Sequence, residues 1–210
     1  MPDSTSEVLY ALSEHIATIT LNAPERMNTI SRAMLDELTA ALLRANDDKA
    51  VRCVILTGTG RAFCAGLDLR EVRGEGGIST ASSSTTLNLR NTPPTVLQAM
   101  DKPTICAVNG GAAGYGMDTA LGCDIRIMAQ SSKLAAAFVK RGVVPESGGT
   151  WFLPRMIGWA KAAELIFTGR TLSADECLAW GLTNEVVPDD QLMDRAMAVA
   201  REIAGNAPLA

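Results

Sequence analysis

A chain of 210 residues, 47% of them hydrophobic, can bury one sizeable core, and no apolar run approaches the length that spans a bilayer. The net charge of −4, with no block of consecutive Lys or Arg, argues against nucleic acid and an anionic membrane surface as partners. Met1 to Glu7 is polar and acidic-leaning and lacks the basic and apolar regions of a secretory leader, so a cytoplasmic location is expected.

In chain order, short segments rich in Ile, Val and Thr predict strands at residues 15–21, 52–57, 104–109 and 124–129. Between the first two, residues 32–46 read as a helix. Ser31 is its N-cap, and Met34, Leu35, Leu38, Leu42 and Leu43 form an apolar stripe at helical spacing. Strands alternating with helices predict an α/β fold with parallel pairing through crossover helices. Residues 74–92 are dominated by Gly, Ser and Thr and read as a surface loop; a helix over 94–100 follows, with prolines suited to its first turn. From residue 148 the pattern is helical: 148–157, 159–167 and 174–180, each closed by a glycine (Gly158, Gly169, Gly181). A short strand over 184–187 precedes Pro188, which opens a last helix reaching Ala204.

Cys53, Cys64, Cys106, Cys123 and Cys177 lie mostly in apolar stretches with no CxxC pair, and are expected to be reduced thiols. His15 is the sole histidine, beside an apolar strand, and reads as a surface or edge residue. A zinc site and a Ser-His-Asp triad both lose their support, and no metal is expected.

Two glycine-rich loops are the most informative feature. Residues 58–68 read GTGRAFCAGLD and residues 109–118 read NGGAAGYGMD; each follows an apolar strand and is expected to open a helix. Glycine allows a sharp reversal and a close approach to the main chain, and a helix start leaves N–H groups pointing outward. Two such ends aimed at one oxygen would stabilise negative charge that develops during a reaction. The first loop alone is better explained as a tight strand-to-helix turn with Asp68 helping to cap a helix. The second has the order GxxGxG, which does not match the dinucleotide fingerprint, and it lacks Gly-Lys-Ser/Thr.

Together the loops resemble the enoyl-CoA hydratase/isomerase (crotonase) family. The likeness runs through Ile19-Thr20-Leu21-Asn22, Pro24-Glu25-Arg26-Met27-Asn28, Val54-Ile55-Leu56-Thr57-Gly58 and Phe63-Cys64-Ala65-Gly66-Leu67-Asp68-Leu69. It continues through Lys102-Pro103, Asn109-Gly110, Cys123-Asp124-Ile125-Arg126, Gly148-Gly149-Thr150, Leu153-Pro154-Arg155 and Leu165-Ile166-Phe167-Thr168-Gly169-Arg170. The resemblance implies a spiral of ββα units that binds an acyl-CoA thioester, with coenzyme A as part of the substrate and no permanent cofactor. It implies oxyanion-hole N–H groups at Leu67 and Tyr115. It also places the CoA and acyl group along Arg26, Met27, Asn28, Ala65, Gly66, Asp68, Leu69, Gly111, Gly114, Phe138 and Pro145. Similar proteins are trimers or paired trimers, so a homotrimer or hexamer is expected. The resemblance implies a spiral core over residues 1–190, with 191–210 expected to be the start of a C-terminal helical oligomerisation region, shortened relative to the family.

The acids choose the reaction. Similar hydratases hold water between two carboxylates, the first three residues after the oxyanion residue of loop two, which here is Asp118. The second falls on Phe138, and a phenyl ring cannot exchange a proton. Glu146, in Val144-Pro145-Glu146-Ser147, matches the single acid of isomerase-like members; a helix N-terminal acid is its plainer reading. Phe138, Val143 and Val144 are expected to dry Glu146 and raise its pKa, which suits a base that returns its proton. The expected reaction is therefore a double-bond shift through an enolate, with Glu146 as the shuttle and Asp118 as helper. Hydration of a 2-enoyl-CoA is the alternative, and a silent CoA-binding or scaffold protein is the second. Trp151, Phe152, Trp159 and Trp180 read as core or contact aromatics, Lys140-Arg141 as a solvated or interface pair, and Asp124 as structural.

Overall fold

The computed structural model describes residues 6–68, 92–145 and 147–207. Leu69, Glu146, the polar segment 74–91 and the helix expected after the first glycine loop lie outside the described residues.

The chain begins with a hairpin. β1 (Val8–Ser13) pairs antiparallel with β2 (Ile16–Leu21), with Ser13 opposite Ile16. Glu14 and His15 form the two-residue turn, both at positive φ (53° and 64°), the backbone that matches strand twist in such short hairpins. His15 is exposed there, its Nδ1 2.8 Å from Ala50 O. Parallel strands β3 (Cys53–Gly58), β5 (Thr104–Val108), β7 (Ile125–Ala129) and β10 (Glu185–Val187) extend the sheet in the order β1-β2-β3-β5-β7-β10. A second sheet holds β4 (Ala62–Cys64), β6 (Gly111–Ala113), β8 (Lys133–Ala135) and β9 (Thr171–Ser173), in that order.

The path is a spiral. β3, β5 and β7 lie in the large sheet, and each is followed by a three-residue strand, β4, β6 or β8, in the small one. The parallel α/β expectation holds; the hairpin strand β1 and the four short strands are additions to it. Each of these four is only three residues long, too short to show an alternating pattern.

Alternation along the long strands sorts their side chains onto two faces. Ala17, Ile19, Leu21, Val54, Leu56, Cys106, Val108 and Met128 belong to the main core. That core also takes Met34, Leu38 and Leu42 of α1 (Arg32–Asp47), Val96 and Leu97 of α2 (Pro93–Ala99), and Met117, Ala120 and Leu121 of α3 (Tyr115–Gly122). Ile16, Cys53, Ile55, Ile105, Ala107 and Ile127 face the other way, onto Leu192, Ala196, Ala200 and Ala204 of the last helix, Leu192–Ala204. Ser31 caps α1 as expected, its Oγ accepting from Met34 N at 3.0 Å. Leu43 corrects the predicted stripe: it is 40% exposed, because the buried line runs through Met34, Leu38, Leu42 and Ala45.

Residues 149–168 form one helix, α4 (Gly149–Thr168), interrupted where Gly158 takes φ 77° and ψ 163°, so the predicted break is real. α5 (Ala174–Trp180) starts on a capping box between Ser173 and Glu176. α6 is the last helix named above. Asp124 is structural: its Oδ2 accepts from both N and Oγ1 of Thr104, at 2.8 and 2.7 Å, locking β7 to β5. Arg126 is buried and donates to main-chain carbonyls, to Leu182 O at 2.8 Å and to Leu121 O and Cys123 O at the end of α3, where a helix favours positive charge. All five cysteines are buried and free; burial pushes the thiols of Cys53, Cys64 and Cys177 up to about 12, so they stay protonated at neutral pH. No helix among the described residues is long and apolar enough to cross a membrane.

Candidate active site

The two glycine loops meet at the seam between β4 and β6. Ala62 stands opposite Gly111 and Cys64 opposite Ala112, and the chain then runs on from each strand into its loop. Gly66 takes φ 101°, and a Cβ built there would lie 2.9 Å from Ala113 O and 3.8 Å from Tyr115 N. The turn of loop one thus packs against the end of β6, just ahead of α3, an approach open only to a residue without a side chain.

Leu67 follows in a parallel bridge with Ile30. Ile30 N–H donates to Gly66 O at 2.8 Å and Asp68 N–H to Ile30 O at 2.9 Å. Donors alternate sides along an extended segment, so the Leu67 N–H faces away from Ile30, and no acceptor among the described residues takes it. Tyr115 is the first residue of α3, after Gly114 at φ 51°. The first rung of the helix is Asp118 N–H to Gly114 O at 3.0 Å, which leaves Tyr115 N–H ahead of the ladder, at the positive end of the helix.

Asp118 is completely buried. Its Oδ2 accepts from Ser147 Oγ at 2.5 Å. Gly149, the first residue of α4, presses on the same carboxylate: an added Cβ would stand 2.5 Å from Oδ1. The Phe138 ring, 4% exposed, covers Gly114, with Cε1 3.7 Å from where a Cβ would be. Of the apolar residues expected around Glu146, Phe138 is thus buried, whereas Val144 is 75% exposed.

The segment from Arg26 to Asn28 lies beside loop one. Met27 and Asn28 take positive φ (58° and 52°), and Met27 O accepts from Ala65 N at 3.0 Å. Asn28 is fully buried: its Oδ1 accepts from Ala23 N, and its Nδ2 donates to Thr59 O and Ala62 O at 2.9 and 2.8 Å. That side chain ties the turn to the β3–β4 connection, which leaves only the main chain of Asn28 available to a ligand. Arg26 is also engaged, in an ion pair with Glu7 at 2.6 Å. Burial pushes the Glu7 carboxyl up, but hydrogen bonds from Arg26 and Ser31 outweigh it and hold the group below the ordinary range. Asp68 is buried; Ala65 and Pro145 are half-buried. Gly111 sits exposed on β6 with open space where a Cβ would point.

The structure therefore gathers Met27, Ala65, Gly66, Leu67, Gly114, Tyr115 and Phe138 around the seam. Asp118 lies behind them, under Ser147. The sequence reading missed Ser147, whose partner is 29 residues earlier in the chain. Among the described residues no three His, Cys, Asp or Glu side chains converge as a metal site.

The profile of one known family, Enoyl-CoA hydratase/isomerase, matches residues 11–210. The chain belongs to the enoyl-CoA hydratase/isomerase family. It is 42% identical over 199 residues to the 1,2-epoxyphenylacetyl-CoA isomerase of Escherichia coli (strain K12), covering 94% of this chain and 76% of that protein. It is 37% identical over 196 residues to the short-chain-enoyl-CoA hydratase of Clostridium acetobutylicum, covering 93% and 74%. Among solved structures, the enoyl-CoA hydratase of Bacillus anthracis superposes with a TM-score of 0.87 at 37% identity, over 96% of this chain and 78% of that one. The fold is the crotonase spiral, and members of the family act on acyl-CoA thioesters.

Proposed function

We propose that this family member binds an acyl-CoA thioester with its carbonyl oxygen on the N–H groups of Leu67 and Tyr115. Enolate charge is stabilised there while Glu146 carries a proton from one acyl carbon to another, so that a double bond shifts. The observation that carries the reading is the close approach of Gly66 to Ala113, two residues before Tyr115: a Cβ added at Gly66 would stand 2.9 Å from Ala113 O and 3.8 Å from Tyr115 N. Coenzyme A enters as part of the substrate, along Arg26–Asn28 and Ala65–Asp68.

Phe138 favours isomerisation over hydration. It occupies the place of the second hydratase acid, and its ring lies against Gly114 beside the proposed oxyanion site. A single shuttling carboxylate suits proton transfer between two carbons, whereas activating and protonating water takes two groups. Hydration is the second reading, favoured by the buried carboxylate of Asp118 one turn after Tyr115.

Three substrates separate these readings. A 3-enoyl-CoA should gain the absorbance of a conjugated 2-enoyl thioester, and a saturated acyl-CoA in D2O should exchange its α-protons. A 2-enoyl-CoA should keep its absorbance in water. Loss of that absorbance supports hydration, and CoA binding with no reaction of any substrate supports a silent binding protein.

A further inference from the structure

Tyr115 and Asp118 stand one turn apart on α3, so their side chains share a face and their positions are fixed relative to each other. The first supplies the proposed oxyanion N–H. The second is fully buried and holds Ser147 Oγ at 2.5 Å, while Gly149 packs its Cα against the same carboxylate. Ser147 directly follows Glu146 in the chain. Gly148 takes φ 121° between Ser147 and Gly149, so the entry to α4 is bent onto Asp118 from two sides.

We propose that Ser147 and Asp118 form a positioning pair. The Ser147 hydroxyl, donated to Asp118, fixes the start of α4 against α3, and one rigid helix thereby sets the distance between the charge-stabilising N–H and the chain that bears the base. The inference rests on the reading of Glu146 as that base. Enolate formation needs the carbonyl oxygen on its donors and the base at the α-carbon at the same moment, and small displacements of either cost rate steeply. Asp118 works here through Ser147 and exchanges no proton with substrate. Its burial beneath Ser147 and Gly149 suits an anchor, and the N-terminus of α4 favours its negative charge.

The test measures α-proton exchange of a saturated acyl-CoA by the parent, Ser147→Ala, Ser147→Thr, Asp118→Asn, the Ser147→Ala/Asp118→Asn double variant and Glu146→Gln. Ser147→Ala should lower kcat about tenfold with KM within about twofold, the pattern of an interaction used in the transition state. Ser147→Thr, which keeps the hydroxyl, should recover most of that loss. Asp118→Asn still offers the hydroxyl an acceptor, so it should fall no further than Ser147→Ala and keep the acidic limb of the pH–rate profile. Residues acting as one unit lose their contribution once, so the double variant should be no slower than Ser147→Ala. Parent-like kcat in Ser147→Ala, or losses that multiply in the double variant, overturns the pair. So does a loss of about a hundredfold in Asp118→Asn with the acidic limb gone, since that size marks a group that transfers protons itself. Glu146→Gln keeps the two ideas apart: if it is inactive while Ser147→Ala matches the parent, only the positioning pair fails. If Glu146→Gln retains activity, the base assignment fails and the pair falls with it.

Discussion

Glu146→Gln should lower kcat for α-proton exchange and for double-bond migration by at least about a hundredfold, the low end of what a general acid–base group contributes. Glutamine keeps the size and polarity of the side chain and loses only its capacity to take up a proton. KM for acyl-CoA should move little, because the substitution leaves the thioester donors and the CoA contacts in place. Neither Phe138 nor Asp118 is expected to take over. The Phe138 ring carries no exchangeable proton, and Asp118 lies under Ser147 and the first residue of α4. Measured on both reactions, the variant separates loss of the shuttle from loss of binding. Retained activity would move the base to Asp118 and restore hydration as the leading reading.

Gly66→Ala should be nearly as damaging, through a different part of the site. The residue holds φ 101°, a conformation that alanine adopts only under strain, and its Cβ would come within 2.9 Å of Ala113 O. Ala113 ends β6 two residues before Tyr115, so relief of the clash shifts loop one away from α3. The Ile30–Leu67 bridge that aims the Leu67 N–H moves with it, since Gly66 O is one of its acceptors. Loss of one oxyanion donor costs roughly a hundred- to a thousandfold in kcat, and that is the expected fall. CoA binding, read by calorimetry, and the far-ultraviolet dichroism of the fold should persist. A Gly66→Ala enzyme with parent-like kcat would show that the two loops need not touch for catalysis.

The sequence made the large sheet and the two loops legible because they carry strong local signals. Strands β2, β3, β5 and β7 are short runs rich in Ile, Val, Leu and Ala, and each lies within a residue or two of its predicted place. Ser31, Gly158 and Asp124 were readable because a cap, a helix break and a strand-start carboxylate each follow from local chemistry. The hairpin strand β1 escaped because its turn is Glu14-His15, without the Gly or Asn that announces positive φ. Leu43 was misplaced because a stripe read at helical spacing is wider than the face that α1 turns to the core.

The site divides in the same way. Gly66 and Tyr115 could be singled out from loop composition and family likeness, since close main-chain approach requires small residues at fixed offsets. The partners of buried polar groups could not. Asn28 binds Thr59 and Ala62 more than thirty residues away, and Ser147 reaches Asp118 from the far end of another unit. Such pairs come from the winding of the spiral and leave no mark within any window of sequence.

At the centre of the proposed site, two main-chain N–H groups from separate loops share one oxygen. A crystal structure of the protein with a bound acyl-CoA measures that directly. The thioester oxygen should lie within hydrogen-bond distance of both Leu67 N and Tyr115 N, at roughly 2.7–3.1 Å, the range of functional oxyanion donors. A carbonyl held by only one of these nitrogens, or turned away from both, would contradict it.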